Sequence, residues 1–247
     1  MPEISLLLIV VAVFTFAGAI KGLVGVGLPM VAVGLMTTFV GLHEAIQVVV
    51  MPAIITNIWQ AAVGGRFRVL TRRLWPMLVT TVIFTWVGGW LLTFVDPHLL
   101  SGVTGILLTT YALVSMFTPQ IPPPGRWEPL LGPVFGGLGG ITLGAAGTYT
   151  MPAALYLQAL GLPRDDLVQA MGIAFTTATV ALALSLGGHG LYEPEMVITS
   201  ALAVIPGLLG MAAGQMIRKR VAADAFRRLF FIAMLLLGTY LAVRAFA

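Results

Sequence analysis

Gly18-Ala19-Ile20-Lys21-Gly22-Leu23-Val24-Gly25-Val26-Gly27-Leu28-Pro29 interrupts the first long apolar stretch of this chain with four glycines, a proline and a lysine. Lys21 is the one charge deep in an apolar run. A cation at membrane depth is costly and by default marks a partner or a pathway. A helix broken at that depth is tolerated only where its freed backbone is buried in protein or lines a cavity. A second break, Gly144-Ala145-Ala146-Gly147-Thr148-Tyr149-Thr150-Met151-Pro152, ends in the same way, on a proline that opens an apolar arm.

The surrounding composition sets the medium. Of 247 residues, 59% are hydrophobic and only 9% charged, with a mean hydropathy of +1.01. Soluble domains carry about 25% charged residues, so this surface is built for lipid. The apolar runs lack the alternating short strands of a β-barrel. The chain reads as an all-α polytopic membrane protein. Met1-Pro2-Glu3 offers no basic n-region, so the first run is expected to be a retained span. The absence of cysteine excludes disulfides and thiolate metal sites.

Apolar stretches run over 4–20, 27–41, 45–63, 74–94, 99–117, 130–144, 148–160, 167–186, 196–217 and 229–246. A straight span takes about 20 residues, so 27–41, 130–144 and 148–160 are expected to be half-helices or re-entrant arms. Eight to ten membrane segments follow. Arg66, Arg68, Arg72 and Arg73 crowd one loop, and Arg218, Lys219, Arg220, Arg227 and Arg228 another. The positive-inside rule places both in the cytoplasm, with Asp96, Glu193 and Glu195 outside. Arg126 and Arg164 then fall inside, and only Lys21 and Arg244 stand apart from the cytoplasmic set. The same rule, and not nucleic-acid binding, accounts for the pI of about 9.9.

The two breaks belong to an internal repeat. Gly41-Leu42 before Glu44-Ala45-Ile46-Gln47 mirrors Gly161-Leu162 before Asp166-Leu167-Val168-Gln169, and Gly64-Gly65 mirrors Gly187-Gly188. Residues 1–117 form one repeat and 130–247 the other, joined by a proline-rich cytoplasmic linker at 118–129. The loop after the third element is basic in the first half and acidic in the second, so the halves are expected to be inverted. Each has about five elements, the first two short or broken. Inverted repeats with discontinuous helices are an architecture of secondary transporters.

Candidate binding residues cluster at and below the breaks. Lys21 offers charge; its rival role is a structural lysine snorkelling to the surface. Gly22, Gly25, Gly27 and Gly147 permit an unwound backbone, while Pro29 and Pro152 favour helix starts, whose N–H groups and dipole suit an oxyanion. Thr148, Tyr149 and Thr150 add hydroxyls. Asn57 and Gln60 in the third element, and Thr176 and Thr177 in its counterpart, add mid-span polar groups that could equally serve helix packing. Gln47 and Gln169 are expected at the two entrances, with His43 and Glu44 at the outer end and Asp166 at the inner end. Gly132, Gly136, Gly140 and Gly144 form a small-residue stripe for close helix packing at least at Gly132 and Gly136, and counting back from the two prolines makes Gly144 the counterpart of Lys21. No HExxH, P-loop or nucleic-acid module is present, so neither an enzyme nor an ATPase is implied.

The repeated glycine-rich break closing on a proline resembles the TauE/SafE family, also called the sulfonate uptake permease family. The resemblance runs through Gly22–Pro29, Gly139–Pro152, Gly161–Gln169 and Gly207–Arg220. It implies a bacterial inner-membrane carrier of sulfite, sulfonates, sulfoacetate or related oxyanions. Family members commonly carry a glycine triplet before the proline, whereas this chain reads Gly25-Val26-Gly27-Leu28-Pro29 and Gly147-Thr148-Tyr149-Thr150-Met151-Pro152. The expected activity is alternating-access transport of a small anion held by the broken helices at the repeat interface. A passive anion channel and a drug/metabolite-type carrier share parts of the pattern. The expected partners are the anion and the bilayer, with a proton as candidate co-substrate and a homodimer as candidate assembly; no cofactor, metal or nucleic acid is implied.

Overall fold

The computed structural model describes residues 4–25, 27–117, 122–218 and 223–246, with the side chains of all but 218 and 223–229. Among the described residues there are ten α-helices: α1 (Ile4–Val24), α2 (Leu28–Val40), α3 (Leu42–Ala62), α4 (Phe67–Phe94), α5 (Pro97–Phe117), α6 (Glu128–Ala146), α7 (Leu155–Ala159), α8 (Arg164–Gly188), α9 (Pro194–Arg218) and α10 (Ala223–Phe246). They match the ten apolar stretches one for one. Among the described residues, seven helices are long and apolar enough to cross a membrane; Leu28–Val40 and Phe230–Phe246 are shorter apolar helices. The protein is a polytopic, all-helical membrane protein.

Two expectations about length are corrected. The stretch 130–144 is not a half-helix: α6 begins at Glu128, with Pro129 in its first turn, and with the preceding 3₁₀ turn Gly125–Trp127 it gives a span of 22 residues. Glu128 looks like loop sequence but stabilises a helix start through the dipole. The first element of each half, α1 and α6, is therefore unbroken, and only the second is short. The second correction concerns Pro152. Pro29 does sit in the first turn of α2, but Pro152 lies inside a π turn, Thr150–Ala154, after a cis Met151–Pro152 bond, and α7 starts only at Leu155.

The helices gather into two compact units that interleave the sequence halves. The first holds α1, α2, α3 as far as Pro52, α5, α9 and α10. In it α1 lies along α9 with backbones nearly touching. A Cβ on Gly18 or Gly22 would overlap the carbonyls of Gly207 or Met211, and one on Gly210 or Gly214 those of Thr15 or Ala19. Helix α5 meets α10 in the same manner through Gly105 and Gly238.

The second unit holds the rest of α3, then α4, α6, α7 and α8. Here α6 lies along α4. Gly136, Gly140 and Gly144 face the α4 backbone at Met77, Thr81 and Thr85. Gly172 brings α8 equally close to Gln60 and Ala61 of α3. With no hydrophobic drive between helices in lipid, such contacts supply the van der Waals packing that holds the bundle. Gly132, grouped with this stripe by its spacing, does not share the contact: its nearest neighbour would be the Tyr156 hydroxyl, at 3.3 Å. Of the linker expected at 118–129, residues 118–121 lie outside the described residues.

Candidate functional site

In the first unit the break is a true interruption. Helix α1 ends at Val24, and Gly25 and Gly27 take φ of 94° and 111°, values that L side chains rarely adopt. Gly25 N–H still reaches Lys21 O (2.8 Å), and Gly27 O accepts from Val31, so a well-formed helix end lies on each side of the break. Gly27 is the N-cap of α2, no side chain caps that end, and Leu28, Pro29 and Met30 are buried. Lys21, in the last turn of α1, is 3% exposed. A snorkelling lysine carries its ammonium to the surface; this one stays inside the protein.

The second unit builds its break differently. Gly147, with φ of 66°, closes α6 by donating to Leu143 O, and Thr148 N–H follows to Thr142 O at 3.4 Å. The Thr142 hydroxyl lies 3.1 Å from Met151 O, tying the π turn back to α6. Thr148, Tyr149 and Thr150 are all buried. Tyr149 reaches Thr81 of α4, hydroxyl to hydroxyl at 2.7 Å. Thr81 Oγ1 also lies 2.9 Å from Met77 O and 3.1 Å from Gly136 O, both acceptors only. The Thr81 proton goes to a carbonyl, so Tyr149 donates to Thr81. The Tyr149 ring meets Phe175 of α8 edge-on at 5.2 Å and covers Gly139, where a Cβ would come within 2.9 Å of it. Tyr149 thus anchors the break.

Thr176 and Thr177 donate to Gly172 O (2.7 Å) and Ile173 O (3.0 Å) of their own helix. Their protons are committed, and what they can show a ligand is lone pairs. Asn57 and Gln60 are buried on the part of α3 belonging to the second unit.

The entrance residues have specific partners. In the second unit Gln169 of α8 accepts from Arg66 N–H (2.9 Å) and donates to Ala61 O (2.9 Å), clasping both sides of the α3–α4 turn. Asp166, one turn away, pairs with the Arg66 guanidinium at 2.8 Å. In the first unit Gln47 of α3 accepts from Glu193 N–H at 2.8 Å, at the turn that opens α9. His43 and Glu44 sit half-buried at the start of α3, with the Glu44 carboxylate against Gly41. Sequence reasoning missed Thr81, Thr142 and Arg66. Thr81 was signalled only by being a hydroxyl in mid-span, as Thr176 was.

The model of the sulfite exporter TauE/SafE family matches residues 10–241. The chain belongs to this family. No curated protein and no solved structure matches it. TauE/SafE membership makes the chain a multi-pass membrane transporter of sulfur compounds.

Contacts in this TauE/SafE chain revise the register expected between its breaks. Gly144 faces the Thr85 carbonyl of α4 as Gly22 faces the Met211 carbonyl of α9, and Gly140 and Gly18 repeat the relation one turn earlier. By these contacts the position along α6 that matches Lys21 on α1 is Leu143, not Gly144. The reason is length: Pro152 lies six positions after Ala146, but Pro29 only five after Val24, so counting from the prolines slips by one.

Proposed function

We propose that this TauE/SafE chain moves a small sulfur-containing oxyanion, of the sulfite, sulfonate or sulfoacetate type, across the bacterial inner membrane by alternating access. The observation that carries the reading is Lys21: a lysine 3% exposed, one turn before a glycine-broken backbone and a helix start that no side chain caps. One buried cation suits a monoanion. The N–H groups of Gly27 and Leu28, at the start of α2, complement its oxygens, as helix N-termini do for phosphate and sulfate, while the Gly25 N–H stays on Lys21 O and shapes the break. The break of the second unit, taken by itself, presents the Thr148 and Thr150 hydroxyls, with Gly147 closing α6, Tyr149 holding the break in shape, and Thr176 and Thr177 as acceptors for an oxygen that bears a proton.

Two reciprocal patterns support inverted repeats. Helix α1 packs on α9 and α6 on α4, in each case the first element of one half with the fourth of the other. The amides follow the same exchange. Gln47, in the third element of the first half, holds the turn before the fourth element of the second. Gln169, in the third element of the second half, holds the turn before the fourth element of the first. The basic and acidic composition of those turns supports their lying on opposite sides of the membrane. In an alternating-access cycle the two clasps would act as outer and inner gates, with Asp166–Arg66 reinforcing the inner one.

The test is reconstitution in liposomes with uptake of sulfite, sulfoacetate, an aryl sulfonate, thiosulfate, sulfate and a carboxylate. Saturable uptake of a sulfur oxyanion over the carboxylate is the expected result. Unsaturable conductance in single-channel recording would replace the carrier with a channel, and uptake of neutral solutes alone would replace it with a metabolite carrier.

A further inference from the structure

A cavity of about 330 Å³ opens in the second unit between the start of α4, the Gly125–Trp127 turn, the start of α6 and Tyr156 of α7. Its polar wall is Arg73, Arg126, Glu128 and Tyr156, and its floor includes Met77 and Pro133. None of these side chains belongs to the proposed transport site. Glu128 grips Arg73 with both carboxylate oxygens, on Nε at 2.6 Å and Nη2 at 2.8 Å, which fixes the guanidinium and leaves Nη1 outside the pair. Tyr156 donates to the Glu128 carbonyl at 3.2 Å and stacks on Phe135, so the opposite wall is also held. Arg126 lies 5.5 Å above the Trp127 ring. Two guanidiniums against one carboxylate leave a positive cavity.

What surrounds the mouth is apolar. Trp75 and Trp127 are exposed, as interfacial indoles are. Leu130, Val134 and Leu138, four residues apart and so on one face of α6, are 59%, 47% and 47% exposed. A rigid cationic cavity at the interface, continued by an exposed aliphatic stripe down one helix, has the two chemistries of an amphiphile. Basic pockets between membrane helices on the cytoplasmic side are suited to anionic headgroups.

We propose that this cavity binds the headgroup of an anionic phospholipid, its phosphate on Arg73 and Arg126 and an acyl chain along Leu130, Val134 and Leu138. The phosphate engages Arg126 and the Nη1 edge of Arg73, while Glu128 sets the position of Arg73 and offsets part of the charge.

The experiment is retention of phosphatidylglycerol against phosphatidylcholine by the purified full chain, counted by native mass spectrometry. Wild type is compared with Arg126→Gln, Glu128→Gln and Arg68→Gln, the last an exposed arginine on the same helix as Arg73 but outside the cavity. A basic residue near an anionic lipid is worth about fivefold in affinity. Arg126→Gln is expected to weaken phosphatidylglycerol retention by about that factor. Glu128→Gln should strengthen it, Arg68→Gln should leave it unchanged, and millimolar inorganic phosphate should not displace the lipid. Equal losses in Arg68→Gln and Arg126→Gln would reduce the effect to diffuse surface charge and overturn the site. Displacement by inorganic phosphate would assign the cavity to a free small anion, and equal retention of phosphatidylcholine would remove the role of headgroup charge; either refutes the proposal.

Discussion

Alanine placed along the glycine stripe of α6 separates packing from spacing. At Gly144 the new methyl would overlap the Thr85 carbonyl and come within 2.5 Å of Gly89 N and 2.6 Å of Gly88 C, all backbone of α4. Nothing there can rotate away, so the two helices must part. Gly140 meets Thr81 O at 2.6 Å and Thr85 N at 2.9 Å, and Gly136 meets the Met77 carbonyl. At Gly132 the nearest atom is the Tyr156 hydroxyl at 3.3 Å, the end of a side chain that can yield a few tenths of an ångström. Overpacking costs about 1–3 kcal/mol, and the upper end applies where backbone meets backbone. Against this, alanine gains up to about 1 kcal/mol over glycine in helix propensity. The net expectation is a loss of about 2 kcal/mol for Gly144→Ala, similar losses for Gly140→Ala and Gly136→Ala, and between zero and a gain of about 1 kcal/mol for Gly132→Ala. Unfolding of the purified protein in mixed micelles, followed by tryptophan fluorescence, measures all four. If Gly132→Ala loses as much as Gly144→Ala, the close α4–α6 contact is not as described.

Gln169→Ala removes two hydrogen bonds to the α3–α4 turn and Gln47→Ala one to the turn before α9, so at about 1 kcal/mol each the first should lose about twice as much stability in the same unfolding assay. Equal losses would count against the clasp geometry. Asp166→Asn breaks a pair whose arginine side chain is 56% exposed, and should change stability by less than about 1 kcal/mol. Tyr149→Phe loses one hydrogen bond, about 1 kcal/mol of stability, and should keep transport in liposomes. Abolished transport in a folded Tyr149→Phe protein would put that hydroxyl on the substrate instead of on Thr81.

Local pattern made the ten elements legible, because each is an apolar run bounded by glycine, proline or charge. It failed at the start of α6, where Glu128 and Pro129 look like linker yet are residues that helix starts prefer. The breaks were visible for the same local reason, since glycines clustered beside a proline serve little else inside an apolar run. Partners were not visible. Thr81 meets Tyr149 from 68 residues away and Arg66 meets Gln169 from 103, and no periodicity along one chain carries that information. Spacing alone also made Gly132 and Gly144 look alike, when only one of them has a neighbouring backbone to fit.

The central claim is that the buried ammonium of Lys21 holds a sulfur oxyanion during transport. The direct measurement is concentration-dependent sulfite and sulfonate uptake by wild type and Lys21→Ala side by side in liposomes, with folding of both verified by the micelle assay. A hydrogen bond to a charged group is worth about 1.5–3 kcal/mol, so the account predicts saturable uptake by wild type and a loss of at least about tenfold in kcat/KM in the variant. Undiminished uptake by a folded Lys21→Ala protein would contradict it and leave Lys21 a structural charge.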